Sequence, residues 1–271
     1  ASDHITVALS GDAGDESFAG YPRYRNMKAI SMAEAIPRPL SRIGAETLRT
    51  MPQMFSEKIP KGDDIERILR LSDHDIVDQY LPLVQHADQE HVDRIDRAGP
   101  YTDTSVPMVR LFEASVGEHP VTAAMAVDLR SYLPDDLLVK VDRASMAHAV
   151  EVRSPFLDHR VIELARQISH RKKLERFKTK AVLKEAFRQY LPDTIIDRPK
   201  SGFGVPVGDW FRGPLRRLAE DAVDALGKRE QWDRPAMNGL LESHLTGDAD
   251  HGAKLWDLVI LAEWYDQFHS E

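Results

Sequence analysis

The chain has 271 residues, 42% hydrophobic and 30% charged, with a formal net charge of −8. That balance fits a folded globular chain rather than a disordered one, and it supplies no global basic field for nucleic acid. Cysteine is absent, which removes disulfides, thiolate metal sites and a cysteine nucleophile together and fits the cytoplasm.

The opening "ASDHITVALS" has no basic region and no long apolar stretch, so it does not read as a signal peptide. No apolar run approaches the ~20 residues needed to cross a bilayer. Ile5 to Leu9 form a β-rich, nearly continuous apolar run, the pattern of a parallel strand buried on both faces. A start so close to such a strand reads as a cut within a longer chain. Almost everything downstream reads as helix. "ESFAGYPRYRNMKAI" continues from the turn, and Pro37 and Pro39 break the chain before "LSRIGAETLRTM". "DDIERILRLS", "DHDIVDQYLPLV", "QEHVDRID" and "MVRLFEAS" follow, with a weak seam near Gly99 and Pro100. "VTAAMAVDLRSYL" comes after Pro120, a first-turn proline. "PDDLLVKVDRASMAHAV" opens on Pro134 and two aspartates, a strong helix start.

"LDHRVIELARQIS" places Val161, Leu164, Ala165 and Ile168 on one stripe, and "TKAVLKEAFRQYL" is a further amphipathic helix. "RPKSGFGVPVGDWFRG" reads as a loop, and the helices "LRRLAEDAVDALG" and "AKLWDLVILAEWYDQF" complete the chain. Trp210, Trp232, Trp256 and Trp264 are expected to pack helices together. The eleven histidines show no zinc-ligand spacing.

Three stretches carry chemistry. In "LSGDAGDESFAGYPRY" a strand ends at Ser10-Gly11 and a helix opens near Asp15, so free backbone amides and the helix dipole can face an anion. Asp12 and Asp15 can hold Mg²⁺ against phosphate, or simply cap the helix. The generic patterns GxGxxG and GxxxxGK[ST] are not matched. In "LPDDLLVKVDRASMAHAVEVRSPFLDHR", Asp136 and Lys140 share a helix face as a surface pair. Glu151 and Arg153 alternate within an extended apolar run, which predicts partial burial and pairing, either in a network with Asp158 or around a ligand. In "DRPKSGFGVPVGDW", Lys200 sits in a glycine-rich loop that phosphate would order, or it is an exposed loop lysine.

Together and in this order, those stretches resemble the synthetase domain of glutamine-dependent asparagine synthetases, across essentially the whole chain. The resemblance implies a predominantly helical portion of an α/β domain, Rossmann-like and of the N-type ATP pyrophosphatase (adenine nucleotide alpha-hydrolase-like) kind. It also implies a two-step reaction: ATP adenylates the side-chain carboxylate of aspartate, and ammonia drawn from glutamine displaces AMP. By resemblance, Ser10 and Gly11 contact ATP and Asp12 acts in forming the acyl-adenylate, at a position where some members carry Glu. Asp15 binds Mg²⁺ with the pyrophosphate, and Glu151 lies near the acceptor. Lys200 neutralises the departing pyrophosphate, and Arg153 and Asp158 are candidates to bind the substrate.

Two features depart from that family. There is no glutaminase portion with its cysteine nucleophile, and no SGGxDSS pyrophosphate loop. The 271 residues are therefore expected to be the downstream part of the synthetase domain, inactive alone, with strand partners upstream and a tendency to self-associate as a homodimer through the exposed strand edge. No nucleic acid or membrane partner is expected. Two alternatives stand: a related amide ligase acting on another carboxylate, or a non-catalytic helical binding module.

Overall fold

In the computed structural model, residues 2–35, 62–98, 105–198 and 204–269 are described. In chain order, β1 (Val7–Leu9) leads to α1 (Gly14–Phe18), α2 (Pro22–Glu34), α3 (Gly62–Leu71) and α4 (Ile76–Tyr80). Next come α5 (Gln89–Ile95), α6 (Val106–Glu113) and α7 (Pro120–Arg130). A π-helical turn, Leu133–Leu138, runs into α8 (Val139–Met146), and β2 (Glu151–Arg153) follows. Then α9 (His159–Gln167), α10 (His170–Lys173), α11 (Ala181–Phe187) and α12 (Asp193–Ile196) lead to α13 (Val207–Arg212). The chain closes with α14 (Arg216–Leu226), α15 (Arg234–Thr246) and α16 (Gly252–Phe268). The chain divides into two units, residues 1–83 with 107–198 and residues 84–106 with 199–271.

In the first unit, β1 and β2 form a parallel pair with Val7 opposite Glu151, Ala8 opposite Val152 and Leu9 opposite Arg153. Of the strand expected from Ile5 to Leu9, Val7–Leu9 is present and parallel, yet Ile5, Val7 and Leu9 are exposed rather than buried on both faces. Among the described residues β1 has one strand neighbour, β2, and nothing seals its outer face. The core lies where α2 packs on α7. Tyr24, Met27 and Ile30 recur at helical spacing on α2 and meet Val121, Ala124 and Val127 of α7, all fully buried. Inside this apolar contact sits a carboxylate, Asp128, with no exposure. It accepts from Arg23 Nε at 2.8 Å and from the hydroxyls of Tyr24 and Tyr80. The Arg23 guanidinium also lies 4.1 Å from the Tyr21 ring centroid and 4.6 Å from that of Tyr132. A buried charge needs such a set of donors, since leaving it unpaired costs several kcal/mol (roughly 3–5).

The expected helix "ESFAGYPRYRNMKAI" is two helices. Ala19 turns left-handed, the Gly20 amide bonds back to the Asp15 carbonyl at 2.8 Å, and Pro22 restarts α2 at its first turn. The helix after Pro134 starts as a π-helical turn and stops at Met146, because Ala149 takes a positive φ of 54° on the way into β2. Asp136 and Lys140 pair at 3.8 Å on its surface, as their spacing predicts. On α9 only Ala165 of the predicted stripe is fully buried, and Leu164 faces solvent. The expected helix at 40–51 and the seam at Gly99 and Pro100 lie outside the described residues.

The second unit has its own core: Phe211 from α13, Ala222, Val223 and Leu226 from α14, Met237 and Leu241 from α15, Leu255 and Val259 from α16. The stretch expected to be all loop after Lys200 includes α13, whose Phe211 is fully buried and anchors it. His244, also fully buried, joins these helices. Its Nδ1 accepts the His251 amide at 3.0 Å, so Nε2 carries the proton and donates to the Gly208 carbonyl at 2.9 Å. Trp232 packs against this core. Trp256 and Trp264 are half exposed, so their expected role as helix cement holds only in part: Trp256 leans on Phe211, and Trp264 on Tyr265 and Phe268.

Candidate functional site

Ser10 follows β1 and hydrogen-bonds through its amide to the Arg153 carbonyl at 2.9 Å, extending the ladder by one residue. From there the chain turns. The Gly14 amide closes the turn on the Gly11 carbonyl at 3.1 Å, and Ala13 supplies the left-handed residue the turn requires. Ser10 Oγ donates to Asp12 Oδ2 at 2.6 Å, and Ser154 Oγ, one residue past β2, donates to the Asp12 carbonyl at 2.6 Å. Two chain segments distant in sequence thus fix one turn at the carboxyl end of both strands, where ligands of open α/β sheets bind. A Cβ built on Gly11 would meet nothing within 4 Å, so its backbone is open to a close-lying ligand.

Neither aspartate caps the helix. The residue before α1 is Ala13, without a side-chain cap. Asp12 is taken up by Ser10, and Asp15 Oδ1 pairs with Lys180 Nζ at 3.0 Å. With five residues, α1 is also too short for much of a macrodipole, so an anion here would rely on individual donors and cations. Behind the turn, Glu16 is 1% exposed and accepts from Tyr21 Oη at 2.7 Å. Burial pushes its carboxyl above the usual carboxylate range, against the pull of the Tyr21 hydrogen bond. The same burial, with Glu16 beside it, pushes the Tyr21 phenol up.

Glu151 and Arg153 lie on β2 with their side chains 55% and 63% exposed, not partly buried as their apolar setting suggested. The uncovered face of the two-stranded sheet is the reason. Arg153 Nε donates to Glu151 Oε1 at 2.8 Å, which holds the Glu151 carboxyl below its usual range. The predicted three-membered network is a pair. Asp158 instead caps α9 through the Arg160 amide and bonds the Arg160 side chain, which depresses its carboxyl. In register Glu151 is opposite Val7, three residues before Ser10, so it stands about 10 Å back along the strand from the turn. The structure therefore joins Ser10, Gly11 and Asp12 in one turn, with Asp15 in the first turn of α1, beside the Glu151–Arg153 strand. Asp158 is placed at the start of the next helix, and Lys200 lies outside the described residues.

Sequence reading missed three members of this neighbourhood. Lys180 had no signal, being one of several lysines in "FKTKAVLKEAF". Glu16 stands inside the motif but looked like one more surface acid. Asp128 did leave a trace, as a lone acid among the apolar residues of "TAAMAVDL".

Asp15 offers a hard carboxylate, with Oδ1 engaged by Lys180 at 3.0 Å, and no group of three or more His, Cys, Asp or Glu able to hold a metal occurs among the described residues, so a magnesium ion here would draw its other ligands from phosphate and water. One carboxylate completed by phosphate and water is a usual magnesium arrangement. No described helix is long and apolar enough to cross a membrane.

The asparagine synthase family model matches residues 1–266. A Mycobacterium tuberculosis protein named "Putative asparagine synthetase (glutamine-hydrolyzing)" is 30% identical over 99% of this chain and 40% of its own length. Asparagine synthetase (glutamine-hydrolyzing) 1 of Bacillus subtilis is 26% identical over 98% of this chain and 41% of its own. Amidase chyE of Penicillium rubens is 26% identical over 82% of this chain and 36% of its own. The chain thus spans about two fifths of the length of these curated relatives. No solved structure matches it. A family match that spans residues 1–266 means that this chain belongs to the asparagine synthase family.

Proposed function

We propose that this chain forms the nucleotide- and acceptor-binding part of an ATP-dependent ligase that makes asparagine from aspartate and ammonia released from glutamine. The observation that carries the reading is the turn Ser10-Gly11-Asp12, pinned to Ser154 at the carboxyl end of the parallel strands, with Gly11 open to a ligand. In this reading the helices flank part of an N-type ATP pyrophosphatase-like sheet. The absence of cysteine supports a cytoplasmic setting, and the exposed β1 supports pairing with a second copy.

The chemistry needs charge management. An oxygen of the aspartate side chain attacks the α-phosphorus of ATP as the bond to the β-phosphate oxygen breaks, and pyrophosphate leaves with that electron pair. The ammonia lone pair then attacks the acyl carbon, AMP leaves with the C–O pair, and nitrogen loses a proton. Gly11 and the Ser10 turn seat the nucleotide, and Asp12 orients the reacting carboxyl. Asp15 would hold magnesium, which supplies positive charge to the phosphates. Lys200 meets the charge that develops on pyrophosphate, and Glu151, on the acceptor side, takes the proton that the nitrogen sheds after its attack. Arg153 is drawn to the acceptor's carboxylate, with Asp158 holding the helix start beside it.

A non-reactive aspartyl-adenylate mimic, with a sulfamoyl group for the phosphate, tests this by calorimetry. The wild-type chain binds it, and Asp12→Ala and Gly11→Val each weaken binding at least tenfold. Failure of the wild-type chain to bind would overturn the reading. The likeness to relatives named amidases favours a second reading, in which another carboxylate is activated. Tighter binding of a glutamyl or aryl-acyl mimic than of the aspartyl one would establish it.

A further inference from the structure

We propose that Lys180 is a phosphate-binding cation held in reserve by Asp15. In the free protein its ammonium occupies the Asp15 carboxylate, and it passes to phosphate oxygens when a divalent cation takes that carboxylate. The inference rests on reading Asp15 as the magnesium ligand, and it adds a residue that neither the motifs nor the sequence pattern indicated.

Three observations converge on the pair. Lys180 Nζ lies 3.0 Å from Asp15 Oδ1, with the two side chains 28% and 23% exposed, so a small hydrated ion can reach the contact. The Lys180 backbone is left-handed, φ 54° and ψ 31°, at the residue just before α11. That conformation is uncommon for a lysine, and such residues concentrate at functional sites. Gly20 completes the arrangement. A Cβ there would lie 1.7 Å from Asp15 Oδ1 and 2.4 Å from Lys180 Cε, so the space is kept for the pair.

The exchange follows from charge. A partly exposed ion pair holds its members weakly. A doubly charged cation that prefers carboxylate oxygen displaces an ammonium from the same oxygen. Lys180 would then be a cation without its counter-ion, beside the carboxylate that would hold the metal and its phosphates. A lysine ammonium serves such oxygens as a movable point charge.

Manganese(II) alone and manganese with inorganic pyrophosphate are suitable probes of the wild-type chain, Lys180→Met, Lys180→Arg and Asp15→Asn. Paramagnetic broadening of the amides from Gly14 to Gly20 reads the metal, and calorimetry reads pyrophosphate. Lys180→Met should tighten manganese binding several-fold and weaken manganese pyrophosphate about tenfold, with Lys180→Arg restoring much of the second. If Lys180→Met changes neither constant, or weakens manganese alone, while Asp15→Asn abolishes broadening, the proposal fails and the reading of Asp15 survives. If the wild-type amides are not broadened, both fail. Independently of any variant, magnesium pyrophosphate should shift the Lys180 side-chain ¹⁵N resonance of the wild-type chain, and an unmoved resonance would also overturn the proposal.

Discussion

Ser154 Oγ donates a hydrogen bond of 2.6 Å to the backbone carbonyl of Asp12, joining the end of β2 to the turn that follows β1. The register of the parallel pair places the two residues side by side, because Leu9 is opposite Arg153 and each chain then runs on by one or a few residues. Ser154→Ala removes the side chain that fixes this carbonyl from the neighbouring strand. It should lower stability by about 1 kcal/mol and the melting temperature by roughly 2–4 °C. It should also weaken the aspartyl-adenylate mimic, since the turn is then held only by its local bonds, Ser10 to Asp12 and the Gly14 amide to the Gly11 carbonyl. A variant with unchanged melting and unchanged mimic binding would show that the contact positions nothing.

Asp128 ties three helices through Arg23, Tyr24 and Tyr80. Asp128→Asn keeps the shape and removes the charge, leaving Arg23 buried without its counter-ion, so a loss of about 3–5 kcal/mol is expected. Pairing it with Arg23→Met should recover part of that loss. Urea unfolding of the wild type, both single variants and the double variant gives the coupling directly.

The rings of His119 and His170 stack with centroids 3.7 Å apart. Burial first, then His119 and the cations Arg171, Lys28 and Lys173, push the His170 imidazole down to about 4. A base whose folded value is depressed contributes stability above its unfolded value near 6.5, and that stability is lost as pH falls from there toward 4. The His170 ring resonance should titrate near 4 in the wild type and higher in His119→Ala. His170→Phe, which keeps the stack, should lose less stability than the wild type between pH 7 and pH 4.

Lys173 is nearly buried, and burial alone pushes its ammonium down to about 8. Its contribution to stability is present above the unfolded value of 10.5 and is lost as pH falls from there through 8, so at pH 7 the full cost of burying charge is borne. Lys173→Met should therefore stabilise the chain at pH 7, by about 1–2 kcal/mol after solvent screening, and the advantage should shrink as pH rises toward 10.5. Chemical denaturation at pH 7, 8.5 and 10 measures it.

The local part of the site could be read from the sequence, and the long-range part could not. The apolar run to Leu9, the turn at Ser10-Gly11 and the helix opening at Pro134 each follow from short-range rules of strand, turn and proline chemistry. The break at Ala19 was masked by "SFAGYPRY", where Pro22 reads equally as a kink within one helix or as the first turn of a new one. The exposure of Glu151 could not be foreseen, because burial depends on what covers a sheet rather than on the strand's own residues. Asp15 was singled out, but its partner Lys180 is a tertiary contact, and nothing in the spacing of lysines encodes it.

The bond between Ser154 and Asp12 spans 142 residues. At roughly 5–20 residues per second, the ribosome needs about 7–30 s between delivering the turn and delivering the serine that fastens it. Through that interval the nascent strand presents Ile5, Val7 and Leu9 with an unpaired edge, the kind of surface that recruits chaperones or a neighbouring nascent chain. Slow elongation would lengthen this exposure, so yield on expression should depend on translation speed between these two points more than on speed anywhere after Ser154.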